Sequence, residues 1–416
     1  MLLEIDSIWY DCDSFATIHP GGEHLLRVLD GQNATELFHA MHRGPAAKSA
    51  LSRLPRYPRK SSVHASHLAR SFAKLRQDVE GAGLYKTRPK MYVRRGLILA
   101  SILATALACR VPWISGLLFA LYLQQIAFIG HDAGHNSVLR APRDNARLGL
   151  LVGNAFSGIA ISWWKATHNM HHATTNSVDC DPDIQHAPAL VLSKTYLSAT
   201  PVVSQYHRRA LVVSKRWRSV LRFQHWYFYP LMAVARFNLY AQSWRQVVRD
   251  RDGLGALGLC AYHAGMAAWW WSWPSVAAGL QWLLVSHAVA GILHVQIAVS
   301  HFFMEFYHGA VHAGTPRGEA FLRTQLATTT DIACAPWMDW WHGGLQFQVA
   351  HHLFPRVPRD HLRVLTGMVR EFCREHGLAY HAVSWWGANR ALVGALREAG
   401  AKGDTSVVRE AWQAVG

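Results

Sequence analysis

The sequence predicts a mainly α-helical, polytopic membrane bundle of four spans with interfacial helices, a histidine-built cap on one face, and a small separate N-terminal module. Three observations carry this. Leu254–Met304 runs fifty-one residues without one Asp, Glu, Lys or Arg, a length for which water-soluble folds have no ordinary use. A second apolar block, Gly96–Cys109 and Val111–Gly130, lies upstream. Outside the blocks, three one-turn histidine clusters recur: HDAGH at His131–His135, HNMHH at His168–His172, and QVAHH at Gln348–His352. With two spans before the middle region and two after it, all three clusters fall on one side of the bilayer.

Composition narrows the class. The net charge is +16, but the basic residues flank the apolar runs and form no polar module of their own. That pattern reads as loops facing anionic lipid, so a membrane is the expected partner and nucleic acid is not. The cysteines Cys12, Cys109, Cys180, Cys260, Cys334 and Cys373 are scattered with no CxxC, which fits a reducing compartment. Glu4 and Asp6 interrupt any N-terminal apolar core. No cleavable signal peptide is expected, and the first span does the targeting.

From the N-terminus, Trp9–Phe15 precedes His19-Pro20-Gly21-Gly22, a tight turn that holds an imidazole outward. A second histidine after a short helical stretch, His42 in preference to His39 or His24, could face it across a flat ligand. The segment resembles the haem-binding half of a cytochrome b5 domain, which implies axial ligation of haem b by His19 and His42 and an α+β fold. Such domains carry a further strand and helix before the position of Trp9, so this one is expected to be N-terminally shortened. Residues 1–60 are assigned to it, 61–92 to a linker with an amphipathic helix, and 93–416 to the membrane domain.

Gly96–Cys109 is short for a span, so Arg94, Arg95 and Arg110 would have to snorkel. Arg110-Val111-Pro112 turns the chain back, and Val111–Gly130 delivers His131 to the entry face. Leu148–Ile161 is apolar but cannot cross without separating the first two clusters, so it is expected to be interfacial or re-entrant. Arg208, Arg209, Lys215, Arg216, Arg218 and Arg222 place the following region in the cytoplasm. Phe223–Phe237 is expected to lie in the interface, with Arg236 disfavouring a crossing. Two spans meeting at Ser272-Trp273-Pro274 account for the long apolar run, with Trp269, Trp270, Trp271 and Trp273 as an interfacial belt. Leu362, Leu365, Met368, Val369 and Phe372 mark an amphipathic helix ended by Gly377, expected to cap the metal face.

At i, i+3 and i+4, His168, His171 and His172 share one helix face. Taken alone, an HxxHH is more often a set of surface histidines. With His131, His135, His351 and His352 the candidates number seven, whereas one octahedral ion takes about six, so two metals are the natural count. His301 joins them as a candidate, because His287, His294 and His301 repeat every seven residues and share a bundle-facing stripe. His263 and His342 are weaker candidates. Asp132, Asp179, Asp181 and Asp183 are plausible orienters of ligand imidazoles, although helix capping explains each nearly as well. Imidazole suits iron, copper and zinc alike. A fused electron donor is useless to redox-silent zinc, which favours iron. A site at the membrane rim favours a lipid substrate.

The boxes HDAGH, HNMHH and QVAHH in this order, the spans between them and the cytochrome b5-like N-terminus resemble the front-end membrane fatty-acid desaturases and their sphingolipid relatives, from about Asp6 to about Asn389. In that family the third box begins with Gln, as at Gln348, and the following HHLFPRVPR is also similar; Val349-Ala350 departs from the usual pair. The resemblance implies iron ligation by His131, His135, His168, His171, His172, His351 and His352, with Gln348 ligating or hydrogen-bonding a ligand. It also implies O2-dependent introduction of a double bond into a long acyl chain carried on coenzyme A or a lipid. Electrons would come from NADH through cytochrome b5 reductase and the haem, in an endoplasmic-reticulum protein with termini and metal site cytosolic. A lipid hydroxylase with the same site, or a non-catalytic haem electron carrier, are the alternatives.

Overall fold

The structure, a computed structural model, describes residues 1–58, 66–316 and 318–401. The boundary expected at residues 60/61 and the end of the last expected domain lie outside them.

Strands Leu2–Ile5, Ile8–Asp11 and Arg56–Tyr57 form an antiparallel sheet, with Leu3 opposite Tyr10 and Trp9 opposite Tyr57. Asp6 and Ser7 both take positive φ, the geometry of a tight hairpin turn. Short helices Glu23–Val28, Thr35–Met41 and Pro45–Arg53 cover the sheet and complete a small α+β unit. Its core of Leu3, Tyr10, Leu25, Leu29 and Leu37 continues into Met170 and Ala173 of the helix that carries the middle histidine cluster. The N-terminal unit is therefore packed onto the rest of the molecule, not tethered beside it.

Within residues 61–92, where a linker with an amphipathic helix is expected, the structure has such a helix, and it is docked. Ser66 accepts the Ala69 N–H to cap the helix His67–Gly81, whose Leu68, Phe72, Leu75 and Val79 are buried at helical spacing. They pack against Phe354, Leu365, Val369 and Phe372, so the helix belongs to the cap.

The first membrane-type helix is Pro89–Ala108, twenty residues long. It starts before Gly96 because Pro89 suits a first helical turn and Arg95 is drawn inward to pair with Asp360. Pro112–Gly134 follows and packs closely on Val276–Ala290. A Cβ at Gly116 would lie 3.0 Å from that of Val285. Among the described residues three helices are long and apolar enough to cross a membrane: Pro89–Ala108, Pro112–Gly134 and Val276–Ala298. The third of the four expected spans, Gly253–Trp271, is a helix of nineteen residues but falls short. Its four glycines and three tryptophans bring little transfer energy for their length. Of the expected tryptophan belt only Trp271 is strongly exposed; Trp273 is buried, and Trp269 and Trp270 pack on the bundle core.

Leu150–Ala155 forms a π-helical turn and does not cross; Asn154 Nδ2 donates to Gly255 O at 3.1 Å. The helix expected over Phe223–Phe237 runs on from Gln224 to Arg249. Arg236 lies in its interior, buried, and donates to Ser157 O and Tyr240 Oη. The helix Leu362–Glu375 buries Leu365, Val369 and Phe372, ends before Gly377 in the left-handed region, and packs in one cluster with Phe72 and Phe354; a further helix, Trp385–Gly400, follows it.

Candidate metal centre

Four chain segments bring the histidines together. Pro112–Gly134 carries His131 in its last turn and His135 at its C-cap. A Cβ at Gly134 would fall 2.0 Å from the Trp164 ring, which explains the small residue inside the first cluster. Ile161–Ala173 carries His168, His171 and His172; Gln348–Leu353 carries His351 and His352; His301 follows the Ile292–Ala298 helix.

Two groups result. Ligand atoms of His131, His135, His168 and His351 lie within 4.8 Å of one another, and so do those of His171, His301 and His352. His172 stands between them: its Nε2 is 3.1 Å from His168 Nε2, and its ring stacks on His352 with centroids 4.2 Å apart. Gln348 Nε2 lies 3.3 Å from His301 Nε2, beside the second group. His263, His287, His294 and His342 join neither group. The heptad stripe therefore delivers His301 alone; His287 meets Tyr240 Oη, and His294 meets Met232 O.

Neighbouring groups orient the rings. Asp181 lies 2.8 Å from His171 Nδ1, Gln325 Oε1 lies 2.8 Å from His352 Nδ1 with Thr175 Oγ1 at 3.3 Å, and Thr328 O accepts from His301 Nδ1. Asp132 meets His131 Nδ1 at 3.4 Å and is held by Tyr92 Oη and Arg359. Asp183 is 3.7 Å from His168 Nδ1. Asp179 instead pairs with His308, outside the centre, which corrects its expected role. Gln325 and Thr175 were invisible in the sequence, since nothing in the spacing of a Gln or a Thr marks it as a partner of a distant ligand; Arg359 closes the HHLFPRVPR stretch, but nothing there pairs it with Asp132.

Electrostatics favours neutral donors. Burial first, then neighbouring imidazoles, holds His135, His168, His172, His301, His351 and His352 far below the ordinary histidine range. For His171 burial also lowers the value, but Asp181 overcomes it and raises the ring to about 9. Nε2 of His131, His135, His351 and His352 is buried without a hydrogen-bond partner. Converging nitrogens in that state are costly unless a cation takes them, so the residues present fit transition metals.

The N-terminal unit holds a second arrangement. The His19 and His42 rings have centroids 6.0 Å apart. Two metal–imidazole bonds of about 2 Å plus two ring radii of about 1.2 Å would place coaxial ligands roughly 6.4 Å apart, so the spacing suits one iron between them. Gly22 O is 3.3 Å from His19 Nδ1 and Phe38 O is 3.0 Å from His42 Nδ1, leaving the Nε2 atoms for a ligand. His39 is engaged by Asp6 at 2.9 Å and His24 by Arg208 at 3.2 Å.

Two family profiles match: Fatty acid desaturase over residues 108–384, and Cytochrome b5-like Heme/Steroid binding domain over residues 2–72. Among curated relatives, Delta(8)-fatty-acid desaturase 2 of Arabidopsis thaliana is 37% identical over 94% of this chain and 88% of its own length. Delta(8)-fatty-acid desaturase of Helianthus annuus is 36% identical over 94% and 86%. Delta 8-(E)-sphingolipid desaturase of Komagataella phaffii is 33% identical over 80% and 62%. Fold and site define an integral membrane oxidoreductase with a fused cytochrome b5-like unit. The chain belongs to the fatty acid desaturase family.

Proposed function

We propose that this protein introduces a double bond into the long chain of a membrane lipid or acyl-CoA at an iron pair held by eight histidines. His131, His135, His168 and His351 would hold one iron, and His171, His301 and His352 the other. His172 lies between the two groups, against His168 and His352, and Gln348 lies beside His301. The iron pair, when bound, supplies the O2-dependent chemistry that removes one hydrogen from each of two adjacent methylenes. The protein's own part is positional: Asp181, Gln325 and Thr175 hold imidazole tautomers so that Nε2 points inward, and burial keeps water from the reacting carbons. The observation that carries this reading is the convergence of histidines from four distant segments on two adjacent points.

His19 and His42 would hold haem b, their Nδ1 atoms engaged by Gly22 O and Phe38 O, and that group, when bound, would supply one-electron chemistry fed from NADH through cytochrome b5 reductase. Gly253–Trp271 serves as a span beside the three longer apolar helices, so that an even number of crossings leaves all boxes, with both termini, on the cytosolic face of the endoplasmic reticulum. The domains divide as residues 1–60, 61–92 and 93–416, with the middle segment's helix docked on the cap. The Delta(8) in the names of the plant and yeast relatives supports a bond at the eighth position of the chain.

Expression in a host lacking the activity, with double-bond mapping of total lipids, tests this. Product two mass units lighter than substrate is expected; product sixteen units heavier would indicate hydroxylation. His172→Ala and His351→Ala should each abolish product and leave the haem spectrum unchanged. Full activity in either would overturn the site.

A further inference from the structure

Arg359 follows the third histidine box and is almost wholly buried, with a relative exposure of 7%. Its Nε donates to Asp132 Oδ2, and that carboxylate also takes the Tyr92 hydroxyl. Its Nη2, buried as well, meets no hydrogen-bond partner. The side chain stands between two narrow cavities. One touches His131, Gln348 and His351 of the metal centre. The other is bounded by Arg95, Ile98 and Trp340, and the last two are partly exposed on the outside of the bundle. A guanidinium nitrogen without an acceptor, on a side chain that lines both the outer cavity and the cavity against the metal histidines, is costly in a protein interior unless a ligand supplies one.

Charge decides what kind of acceptor fits. Arg359 is neutralised by Asp132, and Arg95, the other cation lining the outer cavity, is neutralised by Asp360. Two cations face two carboxylates, so no charge is left over for a phosphate. A neutral oxygen completes the hydrogen bonding without unbalancing the pairs.

We propose that Arg359 holds the head of the acyl substrate, its Nη2 donating to a neutral carbonyl or hydroxyl oxygen, and thereby sets which carbons reach the metal histidines. The inference rests on the desaturase reading of the site. It makes Arg359 a specificity-determining residue: the double bond is counted from the oxygen held here, and the chain beyond the metals is free to vary in length.

The test uses the full-length membrane protein in two independent ways. Unmodified enzyme is fed saturated chains differing by one carbon from sixteen to nineteen, and the products are mapped. A bond that keeps its distance from the head oxygen is expected. A bond that keeps its distance from the methyl end would overturn the proposal, whatever any variant does. Separately, Arg359→Lys retains a cation for Asp132 but loses the planar fork. Iron and haem content should stay near wild type, KM should rise tenfold or more with kcat changed far less, and products should spread to neighbouring positions. Loss of iron in step with activity, with KM and bond position unchanged in the remaining enzyme, would show that Arg359 only braces Asp132 and would also overturn the proposal. If the wild type makes no double bond in any chain, the desaturase reading itself fails, a result distinct from these.

Discussion

Asp181 shows how much of a metal site is built away from its ligands. One carboxylate oxygen meets His171 Nδ1 at 2.8 Å and accepts the Asn176 N–H at 2.8 Å, which fixes the ring and presents Nε2 to the centre. Asp181→Asn preserves shape but removes the charge that favours a metal-bound imidazole. Iron affinity should fall by roughly 10–100-fold, measured by iron retention against a graded chelator, with the haem band unaffected. At the other site, a Cβ on Gly21 would come within 2.7 Å of His19 Cε1. Gly21→Ala should displace that imidazole and remove most of the haem absorbance while iron in the membrane domain stays bound. The candidate ligands were legible as residues because histidine clustering is rare and local. Their orienters were not: Gln325 and Thr175 reach His352 across the fold, and no local spacing encodes that contact.

At the scale of elements, chain segments were read correctly where hydropathy or periodicity was continuous and misjudged where packing took over. The amphipathic helix His67–Gly81 was foreseen, yet its docking on the cap depends on the complementary face of Leu362–Glu375, which lies nearly three hundred residues on. The first span was begun too late because Arg94 and Arg95 look like an interface, whereas Arg95 turns inward to Asp360. Phe72→Ala should cost about 3–5 kcal/mol and lower the melting temperature of the cap, since the ring is buried against Phe354 and Phe372. Gly291 interrupts the third candidate span where a Cβ would lie 2.6 Å from Met232 O and 2.8 Å from Ala233 Cα. Gly291→Val should push this helix from Gln224–Arg249 and carry His301 with it, so that iron content falls below half of wild type.

For the molecule as a whole, the boxes reach one place only when the long apolar helices, the π-helical turn Leu150–Ala155 and the helices around the third box are all in position. That coupling has a thermodynamic counterpart. Iron that binds the assembled site and not the unfolded chain stabilises the fold by mass action. Stripping iron with a chelator should therefore lower the melting temperature of the membrane domain by several degrees, and adding it back should restore the loss. An unchanged melting curve would mean that the site is not assembled by folding.

The shared core of Leu37, Met170 and Ala173 has one more consequence. A donor seated on the very helix that bears His168, His171 and His172 never has to search for its acceptor. With haem held by His19 and His42 as proposed, internal electron delivery would be a first-order event, indifferent to dilution or to how crowded the bilayer is, and the encounter left to diffusion would be the one that recharges the haem from outside.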